Sequence, residues 1–339
     1  MKKRSAMIVF ASLIFILLTA CGEQSKEDVV QKLEEQVEKM SGYKTDASMT
    51  MNTGKEEQKY HIEVWHKKKD YYRVKLKHDQ DEQGSQIILR NKEGVYVLTP
   101  ALNKSFKFQS EWPDNSSQPY LYESLVQDIT KDSDSTFEVM DDYYKFTTKT
   151  NYQNNKSLPY QDIYFDKKSY QPVLVKVYDQ DMQALVQVQF GGFSQDPSFK
   201  DEDFDVQKNM ASAQTEVPVM NMEGEEQPFM VLYPNENMGA ELVEEQEVDL
   251  EDGKRVILTF EGEKNFTLVE EKAEVQTTNA TTAVPVMGDP VQLEFTVGNM
   301  NNNTLEWNHQ GMKFYLASDD LTKEEMIAVA NSVSGTAIK

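Results

Sequence analysis

From about Met49 to Phe204, apolar side chains come back at every second position, run after run. Tyr60, Ile62 and Val64 alternate with His61, Glu63 and Trp65, and Tyr72, Val74 and Leu76 alternate with Arg73, Lys75 and Lys77. Ile87-Ile88-Leu89 turns through Lys92-Glu93-Gly94 into Val95-Tyr96-Val97-Leu98, and Leu102-Asn103-Lys104 turns into Phe106 and Phe108. Phe137–Val139 and Tyr144–Phe146 make a hairpin pattern around Asp141-Asp142; Ile163–Phe165, Val173–Val177 and Val186–Phe190 close the series. Successive side chains of a strand point to opposite faces, so this period predicts a large antiparallel sheet with one wet and one apolar face.

An apolar face must be covered. Two helical patterns are available to do it. Ser25 with Asp28 makes a capping-box-like start, and Val30, Leu33, Val37 and Met40 follow at helical spacing up to Gly42. Tyr120, Leu121, Leu125 and Ile129 repeat that spacing between Pro119 and Lys131. Two short helices are a thin cover for so many strands, which predicts a curved sheet over an apolar hollow. Trp65, Tyr72, Val74, Leu76, Phe106, Phe108, Val175, Val186, Val188 and Phe190 are the expected lining; a core filled by the same side chains is the alternative.

After Phe204 the composition changes. Residues 207–227 are rich in Met, Ala, Ser and Glu, contain Pro218, and read as a linker. A second module, 228–339, is predicted from strands at Phe229–Tyr233, Arg255–Phe260, Phe266–Glu270, Val291–Val297, Thr304–Trp307 and Met312–Leu316. Its closing helix runs from about Thr322 to Val333, with Thr322 and Glu325 as a capping box. Thr277–Ala283, polar and small, reads as a loop. The predicted class is mainly β (α+β), with a small C-terminal α/β or α+β domain.

The N-terminus says where such a chain goes. Lys2, Lys3 and Arg4 precede an apolar run from Ala6 to Leu18, and the run ends in Leu18-Thr19-Ala20-Cys21. This is the pattern of a secretory signal, residues 1–20, and its last four residues resemble a bacterial lipobox, in which the cysteine is diacylated and becomes the new N-terminus. The run is shorter than the ~20 residues a bilayer core needs. Cys21 is the chain's one cysteine, so no internal disulfide is open to it. Lipidation, with palmitate-like chains on Cys21, is the expectation, and two chains suffice for stable anchoring. Between Cys21 and Ser25 the chain reaches on the order of 15 Å, so the body should lie against the membrane. The formal net charge is −22, and loss of the three basic residues Lys2, Lys3 and Arg4 takes it to −25. A chain of that charge repels nucleic acid and anionic headgroups alike. The expected location is the extracytoplasmic face of the cell membrane.

Across residues 21–206 the chain resembles the LolA/LolB-like lipoprotein-carrier superfamily. The residues that carry the likeness are the start helix ending in Ser41-Gly42-Tyr43, then Asn91 to Pro100, then Asp166-Lys167-Lys168 through Pro172-Val173, Val186 to Phe190, and Phe204. The resemblance implies an unclosed β-barrel, or half-barrel, whose lid helices cover an apolar cavity for acyl chains. The whole chain also resembles sporulation-associated lipoproteins of endospore-forming bacilli, and the C-terminal module resembles a small domain of Firmicute lipoproteins and anti-sigma-factor-like proteins.

Signatures of catalysis are poor. His61, His66, His78 and His309 show no recognised metal spacing and read as surface residues. No G-x-S-x-G and no phosphate-binding Gly loop is present. Asp79, Asp81 and Gly84 mimic the start of a Ca²⁺ loop, but its twelfth position is Arg90 where a bidentate Glu is required, so a hairpin turn is expected. No enzyme activity, metal or cofactor is expected. The expected function is binding of acyl chains of lipids or lipoproteins at the outer face of the cytoplasmic membrane, in sporulation; the alternative is a ligand-sensing regulator that binds a membrane partner such as an anti-sigma-factor-like protein.

Overall fold

The computed structural model describes residues 24–52, 57–79, 84–152, 155–216, 229–250, 253–275, 283–293, 296–309 and 311–334. Cys21 and the signal, the latter part of the expected linker, most of the Thr277–Ala283 loop and the Asp81 turn lie outside them.

Helix α1 (Lys26–Lys39) starts on the expected capping box, Ser25 with Asp28, and buries Val29 and Leu33. Strand β1 (Gly42–Met51) begins before the predicted region: Tyr43, Thr45, Ala47, Met49 and Met51 face inward, a pattern masked by small and hydroxyl side chains. There follow β2 (Gln58–Lys67), β3 (Tyr71–His78), β4 (Gln86–Asn91), β5 (Gly94–Thr99) and β6 (Lys104–Phe108). Helix α2 (Tyr122–Lys131) interrupts the strands where its spacing predicts. Then come β7 (Thr136–Val139), β8 (Tyr143–Lys149), β9 (Tyr160–Asp166), β10 (Pro172–Tyr178) and β11 (Ala184–Gln195). The order across the sheet is β6-β5-β4-β3-β2-β1-β11-β10-β9-β8-β7, with its ends unbonded to each other. This is an unclosed antiparallel sheet, and α1 and α2 lie together on one face of it.

The other face is not simply wet. Tyr71, Ile87, Leu89, Tyr96 and Leu98 are buried there beneath Phe204, a short 3₁₀ turn (Asp201–Phe204) and helix α3 (Val206–Gln214), which buries Ala213. The first eight residues of the expected linker are therefore helix, held because the back of β3–β5 is apolar. The unbroken runs Ile87-Ile88-Leu89 and Val95–Leu98 are the signal for it, since a strand covered on both faces reads as continuous hydrophobicity.

The C-terminal part is a second antiparallel sheet. It contains β13 (Ala240–Leu250), β14 (Gly253–Gly262), β15 (Phe266–Lys272), β17 (Asp289–Gln292), β18 (Val297–Met300), β19 (Thr304–His309) and β20 (Met312–Ala317), in the order β13-β14-β15-β20-β19-β18-β17. Helix α4 (Lys323–Ser332), capped as expected by Thr322 and Glu325, packs on it with the short pair β12 (Tyr233–Pro234) and β21 (Val333–Ser334). Two predictions are corrected. Val291–Val297 is divided between β17 and β18, and of Phe229–Tyr233 only Tyr233 is strand.

The two sheets are stitched together. β16 (Val284–Val286) leaves the C-terminal part and pairs in parallel with β6, extending the first sheet to twelve strands. Gln86 Oε1 accepts the Val297 N–H (2.5 Å), and Ser110 and Asn115 both donate to Asp289 (2.5 and 2.7 Å). The division at 206/228 is thus crossed by backbone pairing.

Gly42 opens β1 where a side chain has no room: a Cβ there would stand 2.3 Å from the His66 carbonyl oxygen. Gly42→Ala should lower stability by about 1–3 kcal/mol in urea unfolding. Gly192→Ala, with nothing within 4 Å of the added atom, should leave the midpoint unchanged.

Candidate functional site

Helix α2 closes the sheet, and its ends are tied by different chemistry. Leu121, at its N-cap, offers no side-chain cap. The sheet supplies one instead: the Tyr122 N–H donates to the Tyr43 hydroxyl (3.2 Å). The Tyr43 O–H donates in turn to Glu123 Oε2 (3.0 Å), and Glu123 Oε1 meets His66 Nδ1 at 2.7 Å. A carboxylate in the first turn is further favoured by the helix dipole. Burial, and then the charge of Glu123, hold the Tyr43 phenol well above its usual range, so it remains a donor. Tyr43 stacks on Phe193 (5.2 Å) and His66 on Tyr72 (4.5 Å).

At the other end Asp128 is buried. Its Oδ1 accepts the Ser117 hydroxyl (2.5 Å) and its Oδ2 the Gln161 amide (2.7 Å), while Gln161 Oε1 accepts from Tyr152 (2.6 Å). Asp132, the C-cap, accepts the Lys149 N–H (2.9 Å) and the Thr148 hydroxyl (3.0 Å). Between these ties Leu121, Leu125 and Ile129 are buried with Val29 and Leu33 of α1.

Tyr72, Val74, Leu76, Phe108, Val175, Val186, Val188 and Phe190 are buried in this inner core, and Phe106 packs against it. Trp65 is a correction. The parity of β2 that sends Tyr60, Ile62 and Val64 inward sends Trp65 to the back, where it stacks on Phe199 (5.3 Å) with the Arg73 guanidinium 4.3 Å from its ring. Among the described residues the concavity is occupied by the protein's own side chains, chiefly Trp112, Tyr120, Tyr122, Phe146 and Phe165. A pocket of about 70 Å³ persists at one end, lined by Met49, Met51, Tyr120, Tyr152, Leu158, Val177 and Val186, and by Pro290–Gln292 of the second sheet. An apolar cavity of about 150 Å³ takes one benzene ring, so in this state the pocket holds no acyl chain. Val186 is the one predicted lining residue that reaches it.

Two of the four histidines are also corrected. His66 and His78 are buried, because even positions of β2 and β3 face the core; His78 Nε2 lies 2.8 Å from Gln58 Oε1. Tyr43, Glu123, Asp128 and Gln161 were outside the sequence prediction: they are polar residues on a face expected to be apolar. Among the described residues no cluster of His, Cys, Asp and Glu could hold a metal ion.

A family model described as sporulation protein YdcC-like matches residues 2–204. This chain belongs to that family. It is 44% identical to the Sporulation protein YdcC of Bacillus subtilis (strain 168), over 100% of this chain and 99% of that protein. The family model ends at Phe204, which closes the back face of the first sheet, while the 44% identity continues through the second. Solved structures similar to the chain include the MucA/MucB complex of Pseudomonas aeruginosa, at 12% identity and a TM-score of 0.36, covering 92% of this chain and 100% of that one. Another is a LolA superfamily protein of Nitrosomonas europaea, at 10% identity and a TM-score of 0.32, covering 55% of this chain and 100% of that one.

The ties make stability depend on pH. Burial pushes Asp128 up to about 6, against the pull of its Ser117 and Gln161 hydrogen bonds. In the second sheet burial pushes Glu270 up to about 7, opposed by the Leu232 N–H and aided by the charge of Glu245. Each native carboxyl keeps a proton that the unfolded chain has already released, so stability falls as pH rises from about 4 to 7. For Asp128 the fall is about 3 kcal/mol. Urea midpoints measured across that range should show this slope, and Asp128→Asn and Glu270→Gln should each flatten part of it.

Proposed function

We propose that the protein is a lipid-anchored sporulation protein of the outer face of the cytoplasmic membrane, and that it works without catalysis, by presenting its surface to a protein partner. One observation carries this reading: the inner face of the first sheet is occupied by the protein's own side chains, with α2 tied at both ends. A chain with a filled interior acts through its outside. The name of the 44% identical relative supports a role in sporulation, and the lipobox pattern at Cys21 supports anchoring. The tether would be short. Gln24, three residues after Cys21, already accepts hydrogen bonds from Tyr144 (3.0 Å) and Tyr170 (2.7 Å) of the folded body.

A second reading keeps one supporting observation. The apolar pocket beside Tyr120 lies next to the start of α2, so an acyl chain would enter there if the helix swung away.

Cys21→Ser should move the protein from the membrane to the soluble fraction of sporulating cells. Crosslinking the anchored protein in those cells, followed by native mass spectrometry, should recover a specific protein partner and no lipid beyond the anchor. Stoichiometric phospholipid with no protein partner would overturn the partner reading in favour of acyl-chain binding.

A further inference from the structure

Strand β13 is an unusual edge. Among the described residues it pairs on one side only, with β14, through ten of its eleven residues, with a bulge at Val243. The other sheet edges are short: β7 and β17 have four residues and β16 has three. Short edges are one way folded proteins avoid unwanted strand pairing, and charged side chains and bulges are others. β13 leaves a long row of outward backbone N–H and C=O groups. Leu242, Val243 and Leu250 are exposed on it, at 40%, 53% and 39%.

The same strand carries Glu241, Glu244, Glu245, Glu247 and Asp249 and no basic residue. Lys254 neutralises Glu247 at 2.5 Å, and Tyr233 donates to Glu245 at 2.9 Å. Glu241 and Glu244 have no ion pair among the described residues. Register places Glu247, Val256 and Glu270 on one face of the sheet. Two copies of β13 set edge to edge would place carboxylates opposite carboxylates, which repel. The charge therefore excludes a second copy of this chain and favours a strand of opposite sign.

We propose that β13 is a docking edge for an extended Lys- or Arg-rich segment of a partner protein, which adds as an eighth strand to the C-terminal sheet. This rests on the partner reading above and names its surface. Backbone pairing would supply the grip, Leu242 and Val243 an apolar footing, and the free carboxylates the selection.

The test uses the full-length protein in detergent micelles. A synthetic peptide alternating lysine with valine should bind, more weakly as salt rises, and slow amide exchange across residues 240–250. The same peptide with glutamate for lysine should not bind. The triple variant Glu241→Lys, Glu244→Lys, Asp249→Lys, at exposed positions, should fold normally and bind the basic peptide at least tenfold more weakly. Unchanged binding by the triple variant, no binding of the basic peptide, or dimerisation of the wild type through β13 would overturn the proposal. Crosslinking the triple variant in cells separates the two claims. Loss of the partner recovered with wild type supports the edge, and recovery of that partner by both overturns the edge alone. Recovery by neither overturns the partner reading with it.

Discussion

The structure depends on how α2 seats against the inner face of an open sheet. An unclosed sheet of this size has an apolar concavity and too few helices to cover it by area alone. The chain solves this with large side chains and polar ties. Leu121, Leu125 and Ile129 enter the concavity with Trp112 and Tyr120 from the preceding segment. Buried polar groups are costly unless paired. Tyr43 and Glu123 at one end of α2, and Ser117, Asp128 and Gln161 at the other, meet that demand by hydrogen bonding to one another, and His66 stands at ion-pair distance from Glu123. Such pairs specify one position of the helix, since a shift along the sheet would strand a carboxylate in apolar surroundings.

Much of this was legible before any coordinates. Period two gave most of the first sheet, and the capping boxes at Ser25 and Thr322 marked helices that begin where expected. What parity alone could not supply was the second face. Ile87-Ile88-Leu89 and Val95–Leu98 are apolar at odd and even positions alike, and the structure covers both faces there, with α3 drawn from a stretch read as linker. Trp65 was expected in the lining although it alternates with Tyr60, Ile62 and Val64, and its position in β2 puts it on the back. The ties of α2 were invisible for another reason. A pair such as Tyr43 and Glu123 is separated by eighty residues, and nothing in either local pattern joins them. β13 and β16 were missed because one carries five acidic residues without regular apolar alternation and the other is three residues long.

The filled concavity changes what the fold can be used for. A hollow would have made the interior the site and the surface a container. With the interior occupied, the two sheets form one platform, joined through β16 and the Gln86 and Asp289 hydrogen bonds. On the proposed reading, the surface of that platform carries the function, and its strongly acidic charge favours basic partners over anionic headgroups.

Amide hydrogen exchange of the α2 segment, Tyr122–Lys131, in the full-length protein tests the central claim most directly. If α2 is part of the core, its slowest amides should exchange with the free energy of global unfolding, and added phospholipid should not alter them. Exchange by a local opening several kcal/mol below the global value, slowed when phospholipid is supplied, would mean that α2 is a working lid and would contradict the account.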